Sequence, residues 1–516
     1  MNRSRALLLG AVFAAGAALY LPTAAYQYVQ DDRAIIVLNP AAHSPAAAVA
    51  AFGQPYWPAP AEAGLYRPLV ILSFAVDWAV SRGSAAWLHV ENALLHGGVC
   101  LLVVLVMLRW LPPAGAAAAG LLFAVHPVHA EGVANLVSRS ELLAALGMLG
   151  ALLCARRRRW AAAILCALLA MFSKERGVVA IALIALDDWL RPADTPPYPR
   201  PFYAALAVAT LGYFFVWLRI GHSAAADVAA PFIGAGGLAR LAVALPALWR
   251  AAELLFWPVT LSADYGPQVI PYRTGLSLAA LAGACVVTGI VWLTIVARRP
   301  APALSFAAGT AAIAALPTSN LLFPSGIVLS ERDLYVPVIL PAVLFGAAIV
   351  WGVGRWDRGR VMIVAATMLA LIGARTLVRL PAWTDNRMFL LTLLREHPES
   401  YRGQQSAGAV LAGMGDTAGA RMRYAVAESL FAGDPHFNAA YAFFLVGHGD
   451  TARAALLLRR SRAVLPRERV ALRVEFLLAR GRGERDRALA VADTATNWFP
   501  EETPWYMSEQ GRHVAP

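Results

Sequence analysis

The chain has 516 residues, of which 59% are apolar and only 15% are charged, and its mean hydropathy is +0.57. This composition is typical of a membrane protein with several spans and argues against an ordinary soluble enzyme. The net charge of +12 does not indicate a nucleic-acid partner, because Lys and Arg fall in short clusters between apolar runs, where they act as topology signals. The four cysteines all lie inside apolar runs, so we expect neither a disulfide framework nor a Cys-based metal site.

The first apolar run, Ala6 to Ala25, follows a short basic N-terminus. A cleaved signal peptide is one interpretation of it, but we favour an uncleaved first span because many spans follow. With the basic end inside, the positive-inside rule places the next loop outside the cytoplasm. That loop carries the adjacent carboxylates Asp31 and Asp32. An acidic pair beside a bilayer is costly and often functional, although a solvated turn is the plain alternative.

Ten further apolar runs are predicted to span the membrane, some of them with extension into their flanks or local thinning of the bilayer. They cover residues 87–108, 114–125, 140–155, 160–172, 177–190, 202–218, 276–296, 302–316, 334–353 and 361–378. Two other stretches, 67–80 and 238–258, are predicted to lie at the interface, the second as an interfacial or re-entrant helix. Four consecutive arginines, Arg156 to Arg159, are the strongest inside marker. About eleven spans therefore put the N-terminus inside and the C-terminus outside.

This topology also sorts the polar motifs of the membrane region onto one side. The motifs predicted to lie outside are Asp31-Asp32, His126 to Glu131, Ser173 to Arg176, Ser262 to Tyr265, and Ser330 to Arg332. The positive-inside rule does not require this second sorting. We therefore expect one reaction site at the external face.

The His126-Pro127-Val128-His129-Ala130-Glu131 motif has a spacing that resembles a set of metal ligands. A helix cap and hydrogen-bonding corner is the alternative, which we favour because a clear His-Glu-x-x-His set is missing. Lys174 and Arg176 could bind a lipid phosphate or could simply extend toward headgroups. Arg332 could bind phosphate or form an internal ion pair with Glu331.

From about Trp383 onward the sequence alternates between apolar and charged residues. Gly415-Asp416-Thr417 recurs 34 residues later as Gly449-Asp450-Thr451, and Gly483-Glu484 lies another 34 residues on. This period is the signature of tetratricopeptide helix pairs, with a generic helical hairpin tail as the alternative. We expect a membrane domain over residues 1–382 and helical repeats over 383–516. Such repeats bind partners and are not expected to be catalytic.

Taken in order, these motifs resemble the transmembrane-and-tetratricopeptide O-mannosyltransferases and their bacterial relatives, within the GT-C class of polyprenyl-phosphate-sugar glycosyltransferases. The resemblance covers almost the whole chain and rests on Tyr28-Val29-Gln30-Asp31-Asp32, Tyr66-Arg67-Pro68-Leu69, His126 to Glu131, Ser173-Lys174-Glu175, Leu261-Ser262-Ala263-Asp264-Tyr265, and Glu331-Arg332-Asp333-Leu334-Tyr335-Val336-Pro337. Two departures are Asp333, where the family pattern has an aromatic residue, and a tail with only three recognisable repeats. The resemblance implies an all-α fold, with a GT-C-like helical membrane domain and a tetratricopeptide-like α-solenoid.

The same resemblance implies that a mannose-like sugar leaves a polyprenyl phosphate at the external face and that an acceptor hydroxyl, of Ser or Thr in a protein, attacks it. A carboxylate then accepts the hydroxyl proton, and basic residues stabilise the departing phosphate. Asp31 and Asp32 are the expected catalytic residues, and Lys174 and Arg332 the expected phosphate ligands. The full set of expected substrate-binding residues is Arg67, His126, His129, Glu131, Lys174, Glu175, Asp264, Tyr265, Glu331 and Arg332. The resemblance implies no cofactor and no metal.

Adjacent residues in an extended segment point to opposite sides, so only one carboxylate of the pair can face the acceptor. The family pattern favours Asp31. The alternatives are a GT-C transferase acting on a lipid or cell-wall glycan, and a membrane scaffold without enzymatic activity that recruits partners through its repeats. The expected partners are the polyprenyl-phosphate sugar, a protein or peptide acceptor on the tail, and the lipid bilayer. High Ala, Arg and Pro usage favours a bacterial inner membrane, with the repeats in the periplasm.

Overall fold

The computed structural model describes residues 3–58, 64–220, 228–271, 275 and 277–511. These residues form helices joined by turns and loops, without a β-strand among them, so the predicted all-α class is confirmed. The α-helices are α1 (Arg3–Tyr20), α2 (Pro45–Val49), α3 (Pro68–Ser81), α4 (Ala85–Met107), α5 (Pro113–Val125), α6 (His129–Ala134), α7 (Arg139–Arg156), α8 (Trp160–Ser173), α9 (Ala180–Trp189), α10 (Arg200–Ile220), α11 (Gly237–Phe256), α12 (Leu278–Val296), α13 (Pro302–Ala315), α14 (Ile339–Val353), α15 (Arg358–Arg379), α16 (Asn386–Glu396), α17 (Tyr401–Gly413), α18 (Thr417–Leu430), α19 (Pro435–Gly447), α20 (Thr451–Val464), α21 (Arg469–Gly481), α22 (Arg485–Trp498) and α23 (Thr503–Gly511). Leu276, where a span was predicted to begin, lies outside the described residues.

Among the described residues, six helices are long and apolar enough to cross a membrane, judged by length and composition. They cover Arg5–Ala25, Ala85–Met107, Leu136–Arg156, Arg200–Ile220, Leu278–Val296 and Arg358–Trp383. Shorter apolar helices cover Pro68–Ser81, Pro113–Val125, Trp160–Ser173, Pro302–Thr318 and Ile339–Val353. The predicted multi-pass membrane protein is therefore confirmed, whereas the number of spans and their orientation stay predictions.

The membrane helices share one apolar core, in which α1 packs on α4, α5 on α14, and α7 on α8. A separate apolar cluster lies beneath the loop that follows α1. It joins Ile35 and Ile36 of that loop to Val70, Ile71 and Phe74 of α3, and all five side chains are buried. This cluster fixes the loop of Asp31 and Asp32 against the start of α3, where Arg67 lies.

The tail contains three helix pairs, α17–α18, α19–α20 and α21–α22. Their first helices begin at Tyr401, Pro435 and Arg469, so each starts 34 residues after the one before, which is the predicted period. The three glycines between the paired helices, at 415, 449 and 483, have φ of +84°, +80° and +74°. This left-handed conformation favours glycine, which explains why that residue type recurs at the turn.

The tail packs against loops of the membrane region. Ser400 donates a hydrogen bond of 2.7 Å to the Asp264 carboxylate, and Gln268 donates one of 3.0 Å to the Leu430 carbonyl. The main membrane core extends to Trp383, and the core of the repeats begins at Tyr401. We keep the domain boundary near residue 383 as a proposal, with α16 as the connecting helix.

Candidate functional site

Asp31 and Asp32 have opposite environments. The Asp32 side chain is fully buried, and its carboxylate accepts hydrogen bonds from the backbone N–H groups of Val29, at 2.9 Å, and Val137, at 3.0 Å. Asp31 is exposed, and its carboxylate accepts no hydrogen bond from any residue that the structure describes. Asp32 therefore anchors the loop, whereas the carboxylate of Asp31 is free to meet a substrate.

Two guanidinium groups act on the Asp31 carboxylate. The protein around Asp31 partly desolvates it and raises its pKa above the ordinary value of 3.8, while Arg332 and Arg67 oppose this rise. Asp31 is thus exposed to solvent but close enough to other protein groups to be partly desolvated. A raised pKa makes this carboxylate a better proton acceptor than an ordinary aspartate.

Arg67 is held in place by Glu175. Its guanidinium lies 2.9 Å from one Glu175 oxygen, and the other oxygen of Glu175 accepts the backbone N–H of Tyr66 at 2.9 Å. Burial disfavours the ionised form of Glu175, but Arg67 outweighs this and holds the pKa of Glu175 below its usual value. Arg67 also stacks over the Tyr56 ring at 5.1 Å. The guanidinium is therefore rigidly oriented beside Asp31.

Lys174 belongs to a buried ion network. Its ammonium group pairs with Glu141 of α7, and Arg176 lies 3.3 Å from the same Glu141 oxygen and 2.8 Å from an oxygen of Asp333. All four side chains are at least nine-tenths buried. Burial lowers the pKa of Lys174, and Glu141 opposes this. Asp333, the departure from the family pattern, thus has a charge partner of its own.

The segment that carries these cations folds back over the end of α8. Gly177 lies so close to the backbone of Ala170 that a Cβ atom at this position would clash with it. Glycine therefore permits the turn that brings Lys174, Glu175 and Arg176 toward three different partners. This close approach explains the glycine at position 177.

Arg332 is clamped by Glu131 of α6. One Glu131 oxygen accepts the backbone N–H of Arg332 at 2.9 Å, and the other accepts its guanidinium group. The Arg332 side chain is 31% exposed, whereas that of Lys174 is only 7% exposed. Of the two cations expected to bind phosphate, Arg332 is therefore the accessible one.

His126 and His129 do not meet around a common point with Glu131. The Nε2 of His126 lies 3.1 Å from the Leu255 carbonyl oxygen, and the Nε2 of His129 lies 3.1 Å from that of Tyr335. Burial lowers the pKa of both, to about 4 for His126, so both rings are neutral near pH 7. No three His, Cys, Asp or Glu residues in the described ranges form a group that could hold a metal ion. Both rings are buried and bind backbone carbonyl groups instead of a common ligand.

Glu331, Tyr265 and Asp264 lie on the side that faces the tail. One Glu331 oxygen accepts the Ser262 backbone N–H at 2.6 Å and the Tyr265 hydroxyl at 2.9 Å. Burial raises the pKa of Glu331 to about 7, and Arg379, whose guanidinium lies 3.7 Å away, opposes this. These contacts hold the segment before Arg332, whereas Asp264 bonds to Ser400 of the tail.

Two buried charged residues of α7 were not predicted from the sequence. Glu141, which neutralises both Lys174 and Arg176, was not singled out. Neither was Arg139, a fully buried side chain whose guanidinium binds Asp77 and, at 2.8 Å, the Asn92 side chain. The signal was present, because two charged residues at the start of an apolar run demand partners inside the protein.

Comparison with curated proteins gives relatives over most of the chain. The chain is 26% identical to protein O-mannosyl-transferase Tmtc1 of Drosophila melanogaster over 81% of its own length, and 28% identical to protein O-mannosyl-transferase TMTC4 of Homo sapiens over 70%. A protein O-mannosyl-transferase of Caenorhabditis elegans is 26% identical over 78%. The chain is similar to protein O-mannosyl-transferases. The resemblance predicted from the ordered motifs is therefore confirmed.

The matches cover only part of each relative. The chain spans 61% of the length of the Drosophila relative and 57% of that of the human one. No family model matches the chain, and no solved structure matches it.

Proposed function

We propose that the chain is a membrane glycosyltransferase that moves a mannose-like sugar from a polyprenyl phosphate to a hydroxyl group, namely a Ser or Thr of a protein. The observation that supports this most is the accessible Asp31 carboxylate beside the guanidinium groups of Arg67 and Arg332. An enzyme of this kind needs one group that accepts a proton and others that stabilise a departing phosphate. These three side chains supply both in a chain similar to protein O-mannosyl-transferases.

In this mechanism the acceptor oxygen bonds to the anomeric carbon of the sugar as the bond from that carbon to the phosphate oxygen breaks. Asp31 takes the hydroxyl proton. Negative charge grows on the phosphate, and Arg332 stabilises it through N–H groups that Glu131 leaves free. Because Glu131 holds both the backbone and the guanidinium of Arg332, the cation needs little reorganisation at the moment of reaction.

The other expected substrate-binding residues take supporting parts in this proposal. Glu131 and Glu175 orient Arg332 and Arg67. Lys174 acts mainly through the buried network with Glu141, and the phosphate role assigned to it moves to Arg67. The remaining residues shape the walls of the site: His126 and His129 behind it, and Asp264, Tyr265 and Glu331 toward the tail.

The test is release of polyprenyl phosphate from a labelled polyprenyl-phosphate mannose by the purified protein in nanodiscs, with and without Ser- and Thr-containing peptides. We expect the release of polyprenyl phosphate to increase when peptide is present, and we expect labelled peptide as the product. Folded protein that releases nothing from any polyprenyl-phosphate sugar would contradict the proposal and leave the scaffold alternative. Release with transfer only to a lipid or glycan would favour the other GT-C alternative. The tail packed on the external loops supports a protein acceptor, because helix-pair repeats bind peptides.

We further propose that the N-terminus is cytoplasmic and that the repeats lie in the periplasm of a bacterial inner membrane. The relatives named above are animal proteins, so the bacterial placement rests on composition alone. The orientation rests on Arg156 to Arg159, which should stay inside. Alkaline phosphatase fused after Leu380 should be active, and a cytoplasmic reporter at the same position inactive. The reverse pair of results would overturn the topology.

A further inference from the structure

The residue before Asp31 has an unfavourable backbone conformation. Gln30 has a φ of +53°, in the left-handed region that residues with a Cβ atom adopt rarely. Such a conformation persists only where the surrounding structure holds it. The direction of the Asp31 side chain depends on it, because Asp31 is the next residue along the chain.

The groups that hold Gln30 come from the start of the tail. The backbone N–H of Gln30 donates to the side-chain oxygen of Asn386 at 2.8 Å. Three residues earlier, the backbone N–H of Gln27 donates to the Thr384 carbonyl at 2.8 Å. On the other side of Asp31, Asp32 is anchored to Val137. Asp31 therefore lies between one anchor in the membrane region and one in the tail.

Asn386 is not needed for the helix that it begins. Asp385 caps α16, and its side chain accepts the backbone N–H of Met388 at 2.7 Å. Asn386 is exposed, and alanine is a better helix former than asparagine. A substitution at this position should therefore leave α16 intact and change mainly the contact with Gln30.

We propose that Asn386 is a positioning residue that sets the direction of the Asp31 carboxylate by holding Gln30 in its left-handed conformation. This inference rests on the proposed function, in which Asp31 is the base. It gives the tail a second part besides acceptor binding, because its first residues complete the loop that carries the base. The positioning role of Asn386 does not depend on the three helix pairs, because Asn386 lies in α16, before the first of them.

The test compares Asn386→Ala with Arg387→Ala, an exposed neighbour on the same helix that makes no hydrogen bond or ion pair with the described residues. Loss of the Gln30 contact should lower kcat about tenfold, since small misplacements of a catalytic group are costly. Affinity for the lipid donor should be unchanged, and Arg387→Ala should behave like the unmodified protein. Asn386→Asp keeps an acceptor oxygen and should retain most of kcat, and its added negative charge should move the acid limb of the pH profile upward.

A second readout does not depend on turnover. Hydrogen exchange at the Gln30 amide should accelerate in Asn386→Ala and stay slow in Arg387→Ala, because only the first loses the acceptor. Unchanged exchange, or an unchanged kcat in Asn386→Ala while Asp31→Asn is inactive, overturns the positioning role and leaves the proposed function intact. An unmodified protein that releases no polyprenyl phosphate contradicts the proposed function instead, and the exchange result still decides whether Asn386 holds the loop.

Discussion

Replacing Asp31 with asparagine is expected to abolish sugar transfer and to leave binding of the lipid donor nearly intact. Removal of a general base typically costs about 10²–10⁴-fold in rate. The base acts chiefly in the transition state, so kcat should fall while donor affinity should not. The Asp31 side chain is exposed and forms no hydrogen bond or ion pair with any described residue, so the substitution should not disturb the fold. The measurement is kcat and donor affinity in nanodiscs.

Asp32→Asn is the matched control. The two oxygens of the Asp32 carboxylate accept the backbone N–H groups of Val29 and Val137. An amide offers one acceptor oxygen, so one of these N–H groups would face the NH₂ group and lose its partner. We expect a smaller fall in kcat than for Asp31→Asn, together with faster hydrogen exchange in the loop. If both variants turn over at the rate of the unmodified protein, the catalytic assignment of the pair fails.

The pH dependence of kcat tests the role of Asp31 in a second way. The base must be ionised, so activity should be lost as the pH falls through the pKa of Asp31. Because the surrounding protein raises that pKa, the acid limb should lie above the ordinary value of 3.8. Arg332 favours the ionised form of Asp31, so Arg332→Gln should move the limb to still higher pH as well as lowering the rate. If the acid limb does not move in Arg332→Gln, the charge of Arg332 does not act on the Asp31 carboxylate.

The features predicted correctly from the sequence are those that depend on local patterns. Long apolar runs indicated membrane helices, and the recurrence of Gly415 at Gly449 gave the period of the helix pairs before the structure showed their bounds. The long apolar runs could be assigned to helices and not to strands, because they are longer than typical strands. Asp31 and Asp32 do face different surroundings, but not through the alternation expected of an extended segment, because Asp32 has helical backbone angles (φ −55°, ψ −37°) at the start of the helical turn Arg33–Val37.

The features that sequence analysis missed depend on which distant residues meet. Lys174 and Arg332 looked equivalent as phosphate ligands, yet one is buried against Glu141 and the other is accessible beside Glu131. The hydrogen bond between Gln30 and Asn386 joins residues at opposite ends of the membrane region. No local pattern specifies such partners, because they are set by the packing of whole helices.

Replacing Glu141 with glutamine is expected to have the largest effect on stability. The carboxylate of Glu141 is 3% exposed and neutralises Lys174 and Arg176, each 7% exposed. Arg176 keeps Asp333 as a partner, whereas Lys174 would be left as a buried cation without its carboxylate. Breaking a buried ion pair typically costs about 3–5 kcal/mol. The denaturant midpoint of unfolding in detergent should therefore fall sharply.

Two further variants separate lost charge pairing from lost packing. Lys174→Met removes the buried cation, so the double variant with Glu141→Gln should recover much of the stability. Glu484→Gln breaks an exposed pair with Arg487 and should leave the midpoint unchanged.

The effect of Glu141→Gln on stability should depend on pH. Burial lowers the pKa of Lys174, so the native state binds fewer protons at Lys174 than the unfolded chain does. This contribution to stability rises with pH, and Glu141→Gln should be least destabilising at alkaline pH. A loss that is equal at all pH values and is not recovered by Lys174→Met would mean that Glu141 acts through packing and not through its charge.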